Sequence, residues 1–548
     1  MAGHGKSVGE AAANVVRPRL IGDDPLMCAP RVSAYPPMTF LSAVRSSFGE
    51  MSASALLLLI VIANFALQPL TEPDFGWHLR TGLDVLHHGL RLPDLDPYSH
   101  TMPDWAWVEH AWLTDVLMAG VYSLFGALGV IVFFAAVTIS AWLIGASVAS
   151  VSLTFRWLSC AISLWVALPY LGARTQFVTL LGVALLLWML KRWQNGNDSI
   201  RWWIPPLFMV WSNLHGGFVV GLLILGLVIG TTAILKWLSD RRLLVLGRCE
   251  DQLFSREDLK RLVVLALVSA GLTLVNPYGF RLHMEILTSL SNQFMLETLQ
   301  EWQPLSVTGI AGHRYALFLA GMAVGMALWY RKVEPVRWVV GLVFLAFSVR
   351  HMRNIPFFLI VSLPLCAELL AGGYERLFQR FPLRETAVKK GRLAAAALIA
   401  VVLWWLGSEH VERIALSGTS TAEFFRTTHY PIEAIEWIRA HRDEAGERLY
   451  NDYGDGGFLL WWLPGTKIFI DGRMPAWQSG DRDILRDYLA LNGAEPDLRV
   501  LIKYSVDWAL VRRRTSLENV LAGNAAWSRV YADDKAAIYR LNAMRRAF

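Results

Sequence analysis

The chain has 548 residues, of which 54% are hydrophobic and 18% charged, and its mean hydropathy is positive. That balance is too apolar for a water-soluble domain of this size and makes a bilayer the expected solvent. A net charge of +6 could suggest nucleic acid, but the excess sits in short stretches between apolar runs, where it reads as a topology signal.

Residues 1–51 are polar, with scattered Pro, Gly and Arg, and read as a cytoplasmic tail. The first apolar run begins too late for an ordinary signal peptide and is taken as a retained helix. Runs long enough to span, or nearly so, start near Ala53, Ala127, Trp157, Gln176, Trp202, Gly217, Leu262, Tyr315, Val336, Ile355 and Leu393, eleven in all. With the amino terminus inside, the inner segments hold 25 Lys and Arg and the outer loops before the tail hold 7, which fixes that orientation. An odd number of spans then puts the chain after about Gly407 outside. The expected division is a cytoplasmic tail (1–51), a transmembrane domain (52–408) with a long first outer loop (71–127), and an extracytoplasmic domain (409–548).

That last part changes character. Helices are expected at Pro431 to His441, Gly457 to Leu463 and Ile484 to Leu491. Strands are expected at Arg448 to Tyr450, Lys467 to Ile470, Val506 to Val511 and Ala536 to Leu541. The pattern predicts a small α/β domain. Cys28, Cys160, Cys249 and Cys366 lie far apart, in inner segments or within or beside helices, and support neither a disulfide framework nor a Cys metal site.

The first outer loop carries the leading chemistry. Its run Glu72-Pro73-Asp74-Phe75-Gly76-Trp77-His78-Leu79-Arg80 places carboxylates just past the first membrane helix, at headgroup depth. There a carboxylate can meet both a lipid-linked phosphate and a water-soluble acceptor. Asp74 is the leading catalytic candidate, with Glu72 behind it; the alternative is that both only cap the next helix. Farther on, Glu109 and His110 form a second polar cluster, or else a surface pair ahead of an interfacial helix at Ala111 to Leu124.

Polar groups then recur wherever a run emerges outside: Arg174 and Gln176; Asn213 and His215; Asn276 and Tyr278; Glu301; and Arg350, His351 and Arg353. Ionisable groups beside membrane helices are costly and usually functional, and arginine clamps phosphate well. Taken singly, Asn276-Pro277-Tyr278-Gly279 is also a turn signal, and Arg350 or Arg353 also suits lipid headgroups. Asn451 to Gly457 and Asp471-Gly472-Arg473 sit at strand ends, where either ligand binding or turn chemistry accounts for them. Phosphate-loop, zinc-helix and nucleophile-elbow signatures are missing, which argues against an ATPase, a zincin and an α/β-hydrolase. No metal ligands are assigned, although Asp, Glu and His of the first loop leave a divalent metal open.

These residues resemble integral-membrane glycosyltransferases of the C superfamily (GT-C), the broad group that includes protein mannosyltransferases. The architecture of nearly the whole chain carries the resemblance. More closely, Asp74-x-x-Trp77-His78-Leu79-x-x-Gly82, Asn213-Leu214-His215-Gly216-Gly217, Asn276-Pro277-Tyr278-Gly279, Glu301-Trp302-Gln303 and Arg350-His351-x-Arg353-Asn354 are similar to a bacterial subgroup of such proteins.

The resemblance implies a polytopic α-helical membrane protein of about eleven spans in the bacterial cytoplasmic membrane. It further implies sugar transfer from a polyprenyl-phosphate-linked donor to a glycan, lipid or protein acceptor on the outer face. Asp74, or Glu72 in its place, would be the general base. Substrate would be held by His78, Arg80, Glu109, His110, Arg174, Asn213, His215, Asn276, Tyr278, Glu301, Arg350, His351 and Arg353. The first loop lacks the adjacent acidic pair of the family. Two other classes compete: a transporter or flippase of lipid-linked glycans, and a non-catalytic partner in envelope assembly.

Overall fold

The computed structural model describes residues 53–243, 250, 252–329, 334–380, 410–444 and 446–542. The tail at 1–51, the run from Leu393, and Cys28 and Cys249 lie outside them.

The other ten apolar runs fall on helices. In chain order the helical part comprises α1 (Ala53–Ala66), α2 (Phe75–His87), α3 (Trp112–Ser147), α4 (Leu153–Ala167), α5 (Gln176–Gln194), α6 (Ile204–Leu214), α7 (Phe218–Asp240), α8 (Arg256–Leu272), α9 (Phe280–Ser291), α10 (Ile310–Trp329), α11 (Pro335–Arg350) and α12 (Ile355–Arg380). Among the described residues, α3, α5, α7, α10 and α12 are long and apolar enough to cross a bilayer. The chain is therefore a multi-pass membrane protein. Helices α1, α4, α6, α8 and α11 run 11 to 17 residues, short of the ~20 that a perpendicular span needs. Helix length thus supports five spans and does not establish eleven.

Helix α3 joins two expected pieces. Gly126, at φ +63°, breaks it where the interfacial helix was expected to end and the next apolar run to begin. Helix α3 packs against α2 on one side and α5 on the other, while α12 packs on α4 and α3. Cys160 and Cys366 are both buried free thiols.

The carboxy-terminal part holds α13 (Ile432–Ala440), α14 (Gly456–Trp462), α15 (Ile484–Leu491) and α16 (Ser516–Gly523). Its strands are β1 (Leu449–Tyr450), β2 (Gln478–Ser479), β3 (Arg482–Asp483), β4 (Trp508–Arg512), β5 (Trp527–Ala532) and β6 (Ala536–Leu541). A four-stranded sheet runs β1-β4-β6-β5; β1 is parallel to β4 and the other pairs are antiparallel, while β2 and β3 form a separate ribbon. Trp508 to Val511 and Ala536 to Tyr539 are buried in unbroken runs, as central strands covered on both faces should be.

One expected strand is corrected. Lys467 to Ile470 does not join this sheet; Ile468 forms a bridge with Ser99 of the first loop. Its N–H donates to the Tyr98 carbonyl at 3.0 Å, and its carbonyl accepts from the His100 N–H at 3.1 Å. Asn451, fully buried, completes the segment: its amide donates to the Ile470 carbonyl and its Oδ1 accepts from the Phe469 N–H, both at 2.8 Å. The segment can be buried outside a sheet because its backbone groups find these partners. A second junction brings α14 onto α2, where a Cβ at Gly76 would strike the Gly457 carbonyl and one at Gly457 the Pro73 carbonyl. Only glycine allows that approach.

Candidate active site

Asp74 stands at the amino end of α2 but does not act as a side-chain cap. Its Oδ1 accepts from the Trp77 indole N–H at 3.1 Å, and Gly472 of the carboxy-terminal part lies so close that a methyl there would collide with the carboxylate. The capping alternative therefore does not hold for Asp74. Glu72 forms an ion pair with Arg174 from the start of α5. Burial pushes the Glu72 carboxyl up to about 7; Arg174 opposes the rise and Asp74 adds to it.

Helix ends far apart in sequence meet here. Arg353 pairs with Glu301 and lies over the Trp302 ring at 5.3 Å, while the Trp302 carbonyl and His351 Nδ1 are hydrogen-bonded. Arg353 is within electrostatic reach of Asp74 and of Tyr453, which follows β1. Burial drives the Tyr453 phenol well above its ordinary range, and Asp74, Glu301 and Asp471 push the same way.

Three imidazoles form the floor. His78 stacks on Trp77 with ring centres 3.4 Å apart, and the His110 ring lies 6.1 Å from His78 and 5.4 Å from His215. Burial depresses His78 and His110 to about 3 and His215 well below its ordinary value, which favours the neutral form of each. His215 Nδ1 accepts from the Gly217 N–H at 2.9 Å and lies 2.8 Å from the Thr179 hydroxyl. Its proton therefore sits on Nε2. Glu109, 1% exposed, accepts from the Ala111 N–H through Oε1 at 3.0 Å. It is not the surface pair that the sequence left open, and the Tyr278 phenol is within its electrostatic reach.

Other expected residues are engaged elsewhere. Arg80 pairs with Asp84 one turn along α2, and Tyr98 donates to the same Asp84. Asn276 accepts from the Tyr278 N–H at 2.8 Å and donates to the Thr273 and Gly279 carbonyls, which is turn chemistry. Asn213 ties α6 to α3 and to the end of α8: Oδ1 accepts from the Trp112 indole at 3.2 Å, and Nδ2 donates to the Val275 carbonyl at 2.7 Å. Arg350 is exposed and makes no ion pair among the described residues.

The site also recruits residues outside the expected set. Asp115, in the first turn of α3, lies 2.7 Å from His78 Nδ1; a carboxylate opening an apolar helix is the signal that marks it. Arg473 is sealed in, 2% exposed, between Asp96 and Asp471 and among the rings of Tyr98, Trp107 and Trp477 at 5.0, 5.2 and 5.4 Å. Burial works against the Asp96 charge, but Arg473 and the Ser99 contacts outweigh it and hold that carboxyl below its usual range. Burial leaves Asp471 raised to about 6 despite Arg473.

No protein-family model and no curated protein sequence matches the chain. Three solved structures are similar to it over most of its length. The archaeal oligosaccharyltransferase AglB from Archaeoglobus fulgidus, solved with an inhibitory peptide and a dolichol-phosphate, is 12% identical with a TM-score of 0.48, covering 84% of this chain and 69% of that one. ArnT from Cupriavidus metallidurans bound to undecaprenyl phosphate is 14% identical with a TM-score of 0.49, over 89% of this chain and 97% of that one. Its apo form is 13% identical with a TM-score of 0.49, over 91% and 99%.

Proposed function

We propose that this protein transfers a sugar from a polyprenyl-phosphate donor to an acceptor hydroxyl on the outer face of the bacterial cytoplasmic membrane. In this reading residues 1–51 are cytoplasmic, 52–408 form the membrane domain, and 409–548 lie outside. The observation that carries it is the meeting of Glu72 and Asp74 with Arg174, Glu301 and Arg353 from separate helix ends, beside neutral imidazoles.

Asp74 takes the proton of the acceptor hydroxyl as its oxygen attacks the anomeric carbon. The carbon–oxygen bond to phosphate breaks, and polyprenyl phosphate leaves with the electron pair. Arg174, Arg353 and exposed Arg350 supply guanidinium groups for that phosphate, whose charge grows as the bond breaks. The purified protein in liposomes should move labelled sugar from a polyprenyl-phosphate carrier to an acceptor. Flux of the carrier across the bilayer with no transfer would support a transporter instead.

Two substitutions probe the acid pair. With Glu72 titrating at about 7, transfer that needs its ionised form, paired to Arg174, rises with pH through 7, and Glu72→Gln should flatten that limb. The stability sign is opposite. A carboxyl raised in the folded state binds more protons there than when unfolded, so stability falls as pH climbs from the unfolded value toward 7, and Glu72→Gln removes the fall. Gly472→Ala should displace Asp74 and lower turnover about a hundredfold. Unchanged turnover would mean that the loop carrying Gly472 yields freely.

A further inference from the structure

We propose that His78, Glu109 and Asp115 bind a divalent cation of the zinc or manganese type, one helical turn from Asp74. The three residues come from α2, the end of the first loop and the first turn of α3. They are 5%, 1% and 0% exposed, and their candidate donor atoms all lie within 4.8 Å of one another. One imidazole nitrogen with two carboxylates is a donor set suited to these metals and poor for a thiolate-seeking one.

The second observation is what these groups lack. Glu109 Oε2 and Asp115 Oδ2 are buried with no hydrogen-bond partner. Two acids sealed from water need positive charge or a proton, because an uncompensated buried carboxylate costs several kcal/mol. No ammonium or guanidinium group forms an ion pair with either one among the described residues. Arg473, which acts on Glu109 from a distance, is committed to Asp96 and Asp471.

The surroundings suit a metal. The Ala111 N–H holds Glu109 Oε1 at 3.0 Å, and the Thr175 hydroxyl lies 3.3 Å from His78 Nε2. Outer contacts of this kind fix the orientation of ligands. A cation between His78 Nδ1 and Asp115 Oδ1, now 2.7 Å apart, would replace their hydrogen bond and take up the orphaned oxygens. It would also pin the turn of α2 whose His78 N–H donates to the Asp74 carbonyl at 3.2 Å, making the metal a positioning device. This inference does not rest on the transferase reading.

The test uses the full chain, purified without a polyhistidine tag, dialysed against EDTA and reloaded with Zn²⁺, Mn²⁺ or Co²⁺ alone. Elemental analysis should find about one equivalent per chain, Co²⁺ should give visible d–d absorption, and EDTA should lower the Tm. Glu109→Gln and Asp115→Asn should each lose the bound metal, while Glu301→Gln keeps it. Two results overturn the proposal: a wild-type protein that takes up no metal and melts alike with and without EDTA, or undiminished metal in both folded variants. The first would assign the charge balance to a shared proton. Should the variants fail to fold, wild-type uptake and the Co²⁺ spectrum decide. Metal uptake is read without any transfer assay, so its failure is separable from failure of the transferase reading.

Discussion

Asp74→Asn is expected to lower sugar transfer by about a hundred- to ten-thousand-fold, the span that general-base catalysis supplies, while the protein inserts and folds as before. The replacement is close in shape and retains an oxygen that can accept from the Trp77 indole, 3.1 Å from Oδ1 in the native site. Its room against Gly472 is unchanged. What disappears is the negative charge that acts on Arg353 and that, on the proposed function, takes the acceptor proton. Single-turnover transfer from a labelled polyprenyl-phosphate sugar, measured beside binding of the unlabelled carrier, separates the two effects: binding should persist and chemistry should stop. Normal transfer by the variant would strip Asp74 of the role and pass it to Glu72.

Arg473→Met is the second large effect, on stability. It leaves Asp96 and Asp471, both with fully buried side chains, facing each other without their shared guanidinium. Removing one partner of a buried ion pair costs about 3–5 kcal/mol. The flat guanidinium also lies among three aromatic rings, so Arg473→Lys should recover only part of the loss. Thermal unfolding and protease resistance of the 410–542 part are the measurements. Adding Asp96→Asn and Asp471→Asn to Arg473→Met should restore much of the stability by removing the stranded charges. A single variant that melts like the wild type would show that water reaches the pair.

Much of the helical framework is legible in the sequence because apolar runs and their polar ends obey bilayer physics. The joint in α3 at Gly126 and the meeting of Glu301-Trp302-Gln303 with Arg350 to Asn354 follow from that reading. Full spans are harder to count, since α6, at 11 residues, is as apolar as a crossing helix and half the length. Local spacing also misjudges residues whose role depends on distant chain. Lys467 to Ile470 has the composition of a sheet strand, but its partner is Ser99, a pairing that no local pattern encodes. Arg80 resembles a phosphate ligand until Asp84, one turn along, takes it. Asp115 carries the local mark of an acid opening an apolar helix, but only the fold sets His78 and Glu109 beside it.

The stitching of residues 98–101 to 468–469 has a consequence for synthesis. Thr101 donates to the Phe469 carbonyl across 368 residues of chain, and α2 meets α14 backbone to backbone. A nascent polypeptide arrested before residue 410 would already carry Glu72, Asp74, Arg174, Glu301 and Arg353 but would lack the segments that pack against α2 and the first loop. On the proposed function, competence would arrive only once the segment around residues 456–473 has closed over the first loop, so a product terminated before it would not consume carrier lipid.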